Sequence, residues 1–215
     1  MGHPVNTDAP LSRVERRKAR TNKRLLEVAR QLFSKKGIYW TTVEDITESA
    51  DQGKGTFYKY FESKDAIIRT LLEEGLGELQ VKTEQAVKGT DSAMTGLSAI
   101  IGARVDFFLS QPDYLLLFHQ VRGMMQLQVG VAKELHDVYD EHLRRLAGLI
   151  EPSIEGAGGR NALDVATAIA AYTSGLLTYH VLFEGPDGIQ RRRQYFLQTL
   201  QDSLLSLVKH SDGFR

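Results

Sequence analysis

Cysteine is absent from the 215 residues. That excludes disulfides, thiolate metal sites and cysteine nucleophiles, and it fits a reducing, cytoplasmic setting. No run of about 18 consecutive apolar residues occurs, so the sequence offers no continuous membrane span. The opening residues, MGHPVNTDAPLS, lack the apolar stretch of a signal peptide. Residues 1–15 are expected to form a flexible arm. Alternation of apolar and polar residues, the mark of a half-buried strand, is missing, as are repeats and low-complexity segments. Without strands there is no strand, glycine loop and helix to cradle a phosphate. Net charge is lacking too, with 27 Lys+Arg against 27 Asp+Glu.

That balance is uneven along the chain. Residues 1–64 hold 13 Lys+Arg and 8 Asp+Glu, a net of +5, while residues 65–215 hold 14 and 19, a net of −5. Most of the basic excess lies in RVERRKARTNKR, Arg13 to Arg24. A basic end on an acidic body points to a polyanion partner for the N-terminal part. A solvated helix start would give the same excess.

What is present reads as helix almost throughout. Leu25, Ala29, Leu32 and Phe33 recur on one helical face, and Gly37 is a good residue just past the helix end. Thr42 and Asp45 have capping-box spacing before a short second helix. Asp51-Gln52-Gly53 is turn chemistry. A third short helix is expected over Lys54 to Tyr60, with Phe57 and Phe61 on its buried side. Ser63 can cap a long fourth helix with Ile68, Leu71, Leu72, Gly75, Leu76 and Leu79 in a stripe. Further helices are expected over 91–110, 112–122, 126–151, 160–184 and 188–209.

Two short helices joined by a tight turn make a helix-turn-helix, whose second helix enters the DNA major groove. The segments LFSKKGIYWTTVEDI, ADQGKGTFYKYF and SKDAII carry a specific resemblance. Residues 16–80 resemble the N-terminal domain of the TetR family of bacterial transcription regulators. The resemblance implies an all-α fold: a three-helix DNA-binding domain, residues 16–65, joined to a helical effector-binding and dimerisation domain, residues 66–215. It implies DNA-facing roles for Thr42, Lys54, Gly55, Thr56, Tyr58, Lys59, Tyr60 and Lys64. Physical chemistry asks for the same types: a small residue where backbone nears DNA, hydroxyls and lysines for phosphates and base edges. The turn departs from the family pattern, with Asp51, Gln52 and Gly53 where glycine, an aliphatic residue and a serine-like cap are usual.

The resemblance further implies a homodimer that binds a palindromic operator and responds to a small molecule, acting as a repressor. For dimerisation, the small-residue helix and the last helix offer Ala170, Ser174, Leu177, Phe196, Leu200 and Leu204. For a mainly apolar pocket the candidates are Phe107, Phe108, Tyr114, Phe118, His119, Met125, Tyr139, His142, Tyr172 and Tyr179. Each of these aromatic positions fits an ordinary core equally well. The histidines lack metal-ligand spacing, so no metal and no cofactor is expected. No nucleophile–base constellation is visible, and an enzyme is not expected. Two other readings stay open: an architectural DNA-binding dimer without a ligand, and a helical protein-interaction module. Gly75 and Gly77, inside the fourth helix, are read either as close packing or as a soft joint.

Overall fold

The computed structural model describes residues 12–128, 130–154 and 161–209. Among the described residues every regular element is a helix. They are α1 (Arg13–Lys36), α2 (Val43–Ser49), α3 (Lys54–Phe57), α4 (Lys64–Val87), α5 (Ala93–Ser110), α6 (Pro112–Gln126), α7 (Ala132–Ile154), α8 (Ala162–Gln190) and α9 (Arg193–Lys209). The chain divides into two compact units, Met1–Ile67 and Ile68–Arg215. The division falls inside α4, two residues beyond the boundary after Asp65 that the sequence suggested.

In the first unit, α1 starts earlier than the sequence suggested. Ser12 is its N-cap: its hydroxyl accepts from Glu15 N at 3.2 Å, and the Glu15 carboxylate accepts from Ser12 N at 2.7 Å. This reciprocal box satisfies two amides that a helix start otherwise leaves open. Residues 13–15 are therefore helix rather than arm, and residues 1–11 lie outside the described residues. Gly37 ends α1 with φ 92°, a left-handed value that favours glycine. Leu25, Val28, Ala29 and Phe33 of α1 join Ile46, Phe57 and Phe61 among the buried residues.

In the second unit, α5 packs against α7, α8 and α9, and α7 against α8. Phe107, Phe108, Tyr114 and Phe118 are buried and meet edge-on, stacked or tilted, with centroids 5.2 to 6.0 Å apart. Pro112 begins α6, where a missing N–H costs nothing. The break expected at Gly185 is a kink: Gly185 has φ 75° and α8 resumes beyond it. Ala93–Ser110 and Ala162–Gly185 are long and apolar enough in mean hydropathy to pass as membrane spans. Half of the α5 stretch is buried inside the unit, as a core helix would be.

Candidate nucleic-acid interface and internal cavity

The helix-turn-helix is built from local chemistry. Thr42 caps α2, its hydroxyl accepting from Asp45 N at 3.1 Å while Asp45 Oδ2 accepts from Thr42 N at 2.7 Å. Lys36 Nζ donates to the same carboxylate at 2.7 Å. The Lys36 bond, followed by the two Thr42 bonds, holds the Asp45 carboxyl down at about 2. Asp51 takes the left-handed turn position with φ 54°, whereas Gly53 is extended at φ −78°. Gln52 turns back on the chain and donates to Asp51 O at 2.6 Å.

α3 is shorter than expected, ending at Phe57, with Tyr58–Tyr60 in a turn. Its two sides differ as the aromatic pattern suggested. Phe57 and Phe61 are buried, while Tyr58 is exposed and Tyr60 half-buried. Lys54, Gly55 and Lys59 are exposed, and Thr56 is half-buried. A Cβ placed on Gly55 would meet nothing within 4 Å. The folded chain itself therefore gives no steric reason for glycine at this position.

Two of the lysines are already engaged. Lys54 pairs with Glu44 of α2. Lys64 Nζ donates to Ile38 O at 2.9 Å and Thr41 O at 3.0 Å. It ties down the α1–α2 connection, which leaves one of its three donors for anything else. Next to that connection lie two aromatics that the motif reading missed. Tyr39 and Trp40 are 82% and 69% exposed and meet edge-on at 5.1 Å. Their signal in the sequence was position: two large rings in a loop, outside any apolar stripe.

The second unit holds a cavity of about 160 Å³ between α4, α5, α6, α7 and α8, open to solvent on one side at the exposed Thr167 and Ala171. Of the expected pocket residues, Phe108, Phe118, Tyr139 and His142 line it. The others fall elsewhere. Phe107 and Tyr114 are in the packed core, Tyr114 against Gly75. His119, Tyr172 and Tyr179 are exposed, and half-buried Met125 is not in the lining. Periodicity put them on helices, but each helix has more than one buried or exposed face.

The lining also holds Arg104 and Arg122, which the sequence reading did not single out. Arg104 is buried, and burial is the main force bringing its pKa down to about 10, so it stays charged at neutral pH. Its Nη1 donates to His142 Nε2 at 3.4 Å. That bond leaves the imidazole proton on Nδ1. Burial first, then Arg104 and Arg145, push the His142 pKa down to about 3, so the ring is neutral. Arg104 Nε and His142 Nδ1 have no partner among the described residues. Arg122 Nη1 donates to Ser174 Oγ at 3.1 Å. No carboxylate lines the cavity. Burying a guanidinium without a counter-charge costs several kcal/mol, so this arrangement requires an explanation.

The residues expected at a dimer contact are mostly interior. Ser174, Leu177, Phe196, Leu200 and Leu204 are buried within the unit, and Ala170 and Ser174 line the cavity. The large exposed apolar residues of α8 are others: Leu163, Tyr172, Tyr179, Leu182 and Phe183, with Tyr195 on α9. A buried stripe and an exposed apolar stripe have the same helical period, so spacing could not separate them.

Residues 25–71 match the family described as bacterial regulatory proteins, tetR family. Over 144 residues the chain is 23% identical to the fatty acid metabolism regulator protein of Bacillus subtilis (strain 168), covering 67% of this chain and 73% of that protein. It is 26% identical over 149 residues to the HTH-type transcriptional repressor KstR2 of Rhodococcus jostii (strain RHA1), covering 67% and 70%. Among solved structures, FadR from Bacillus subtilis in complex with stearoyl-CoA aligns with a TM-score of 0.69 at 18% identity, over 90% of this chain and 99% of that one. FadR from Bacillus halodurans aligns with a TM-score of 0.71 at 16% identity, over 84% and 94%. These structural likenesses speak for the fold.

Proposed function

With the chain belonging, through its N-terminal domain, to the TetR family of bacterial transcription regulators, we propose that it is a homodimeric, cytoplasmic repressor. A small molecule filling the cavity beside Arg104 releases it from a palindromic operator. The observation that carries the DNA reading is Gly55: an exposed helical position with open space around it, flanked by exposed Lys54, Tyr58 and Lys59. A glycine there lets a phosphate backbone approach closely. Tyr58 and Lys59 supply a hydroxyl and an ammonium for phosphates, while Lys54 and Thr56 reach base edges. Lys54 must leave Glu44 to do so, and Lys64 acts by holding the loop before Thr42.

The exposed stripe of Tyr172, Tyr179 and Phe183 on α8, with Tyr195 on α9, fits a two-fold contact between copies. Two recognition helices in one dimer then read half-sites about 34 Å apart. The link to the effector is α4. Its Leu76 lines the cavity, and its first residue, Lys64, anchors Ile38 and Thr41. A ligand that displaces Leu76 strains the same helix whose start positions the α1–α2 connection. The stearoyl-CoA bound by the Bacillus subtilis FadR makes an acyl compound a reasonable first effector to try.

The test is selection of genomic fragments by the purified full-length protein, followed by footprinting. Enrichment of fragments sharing an inverted repeat supports the reading. Equal retention of random DNA at ~0.15 M salt points to an architectural protein instead, because nonspecific binding rests on phosphates alone.

A further inference from the structure

We infer that the cavity is built for an anion: the effector is a small amphipathic carboxylate, its head between Arg104 and Arg122 and its apolar body on Phe108, Phe118 and Leu143. This rests on the effector reading above and gives it a chemical class. The cavity holds two guanidinium groups and no Asp or Glu. The contacts of the two arginines among the described residues are with neutral groups: Arg104 with His142 and the Phe108 ring, Arg122 with Ser174. Arg104 is 3% exposed, and its Nε–H has no acceptor. His142 adds a second buried donor without an acceptor at Nδ1. Ser174 and Tyr139 bring hydroxyls to the same walls.

A neutral ligand would leave the buried charge uncompensated. An acidic ligand answers it, with a planar carboxylate accepting from a planar guanidinium in a paired geometry. Apart from the Thr167 hydroxyl, the rest of the lining is Leu76, Phe108, Phe118, Leu143, Ala170 and Ala171, which favours carbon over a second charged group. At about 160 Å³ the space is some ten times what one water needs, enough for a head group and a short chain. Leu76 and His142 also line a neighbouring groove of about 430 Å³, whose other walls are largely charged, with Glu73, Glu134, Asp137 and Glu141, so the apolar body belongs to the smaller cavity.

The experiment uses full-length protein stripped of bound lipid. Calorimetry measures binding of straight-chain carboxylates of four to twelve carbons, the matching amides, octyl phosphate and octanoyl-CoA. Wild type and Arg104→Met are compared, with Arg122→Met as a second variant. Thermal unfolding without ligand is recorded for each. We expect wild type to bind a carboxylate at least tenfold more tightly than its amide, and Arg104→Met to lose that preference. Without ligand, Arg104→Met should melt higher than wild type, because an unpaired buried charge is gone. The inference is overturned if acid and amide bind alike, or if no carboxylate binds. It is also overturned if Arg104→Met keeps the preference or melts lower. Tighter binding of octyl phosphate, or of octanoyl-CoA alone, would replace the carboxylate and leave the effector pocket standing. Operator retention is measured in parallel. Its failure in wild type sinks the repressor reading and leaves the anion result untouched.

Discussion

Gly75→Ala and Gly77→Ala, two residues apart on α4, are expected to change stability in opposite directions. A Cβ on Gly75 would stand 2.5 and 2.6 Å from Tyr114 ring carbons and 2.9 Å from Phe118 Cζ. Those rings are locked in turn, Tyr114 stacked on Phe107 at 5.8 Å and Phe118 edge-on to Phe108 at 6.0 Å. Forcing one methyl into such a core costs about 1–3 kcal/mol. The better helix propensity of alanine returns roughly 1 kcal/mol. The net is a loss of up to ~2 kcal/mol at Gly75. A Cβ on Gly77 meets nothing within 4 Å, so only the propensity gain of ~1 kcal/mol remains. For a chain of 215 residues each kcal/mol moves the midpoint by about 2–4 °C. Thermal melts followed by circular dichroism should separate the two variants by several degrees, Gly77→Ala the higher. If Gly75→Ala melts with or above Gly77→Ala, the packing argument is wrong. The soft-joint reading of this glycine pair loses Gly75, whose packing against Tyr114 accounts for it.

Other outcomes follow from the same geometry. His142 is neutral when folded, its pKa about 3 against the ordinary 6.5, so the unfolded chain takes up the proton first. Its stabilising effect is therefore complete above pH 6.5 and lost as pH falls toward 3, by roughly 2–3 kcal/mol at pH 4.5; urea melts of His142→Leu should lack that share of the slope. Lys64→Ala should lower the stability of the first unit, since two charge-assisted bonds to Ile38 and Thr41 are lost; an unchanged melt with a reduced salt slope would return Lys64 to the phosphates. Tyr179→Glu with Phe183→Glu should yield monomers by sedimentation, whereas Ala170→Glu should disturb the cavity and leave the oligomer intact. A dimer surviving the first pair moves the interface elsewhere.

The legible parts were those set by neighbouring residues. The Thr42–Asp45 cap, the Asp51 turn and the split between Phe57 and Tyr58 each depend on a few adjacent side chains, and the helix-turn-helix follows from them. Helix ends were less legible. Ser12 and Glu15 form a capping box that reads plainly in the sequence once Arg13 is accepted as helix. The second unit was legible as helices and little more. Ile169, Thr173, Leu177 and Val181 on α8 are buried while Tyr172, Tyr179 and Phe183 are exposed. Both sets repeat with the same period, and only packing tells core from surface. Arg104 was hidden for the opposite reason. A single arginine among Ile100, Ile101, Val105 and Phe108 reads as one polar residue on an amphipathic helix until its burial is known.

The central claim is that α3 presents a face to DNA, and Gly55→Leu tests it most directly. The position is open, so the folded protein should accept the side chain, with a melting temperature equal to or above wild type. The same side chain would stand between α3 and the phosphate backbone. Fluorescence anisotropy with a selected operator should show affinity reduced at least tenfold at a melting temperature no lower than wild type. Wild-type affinity in a stably folded Gly55→Leu protein would contradict the account.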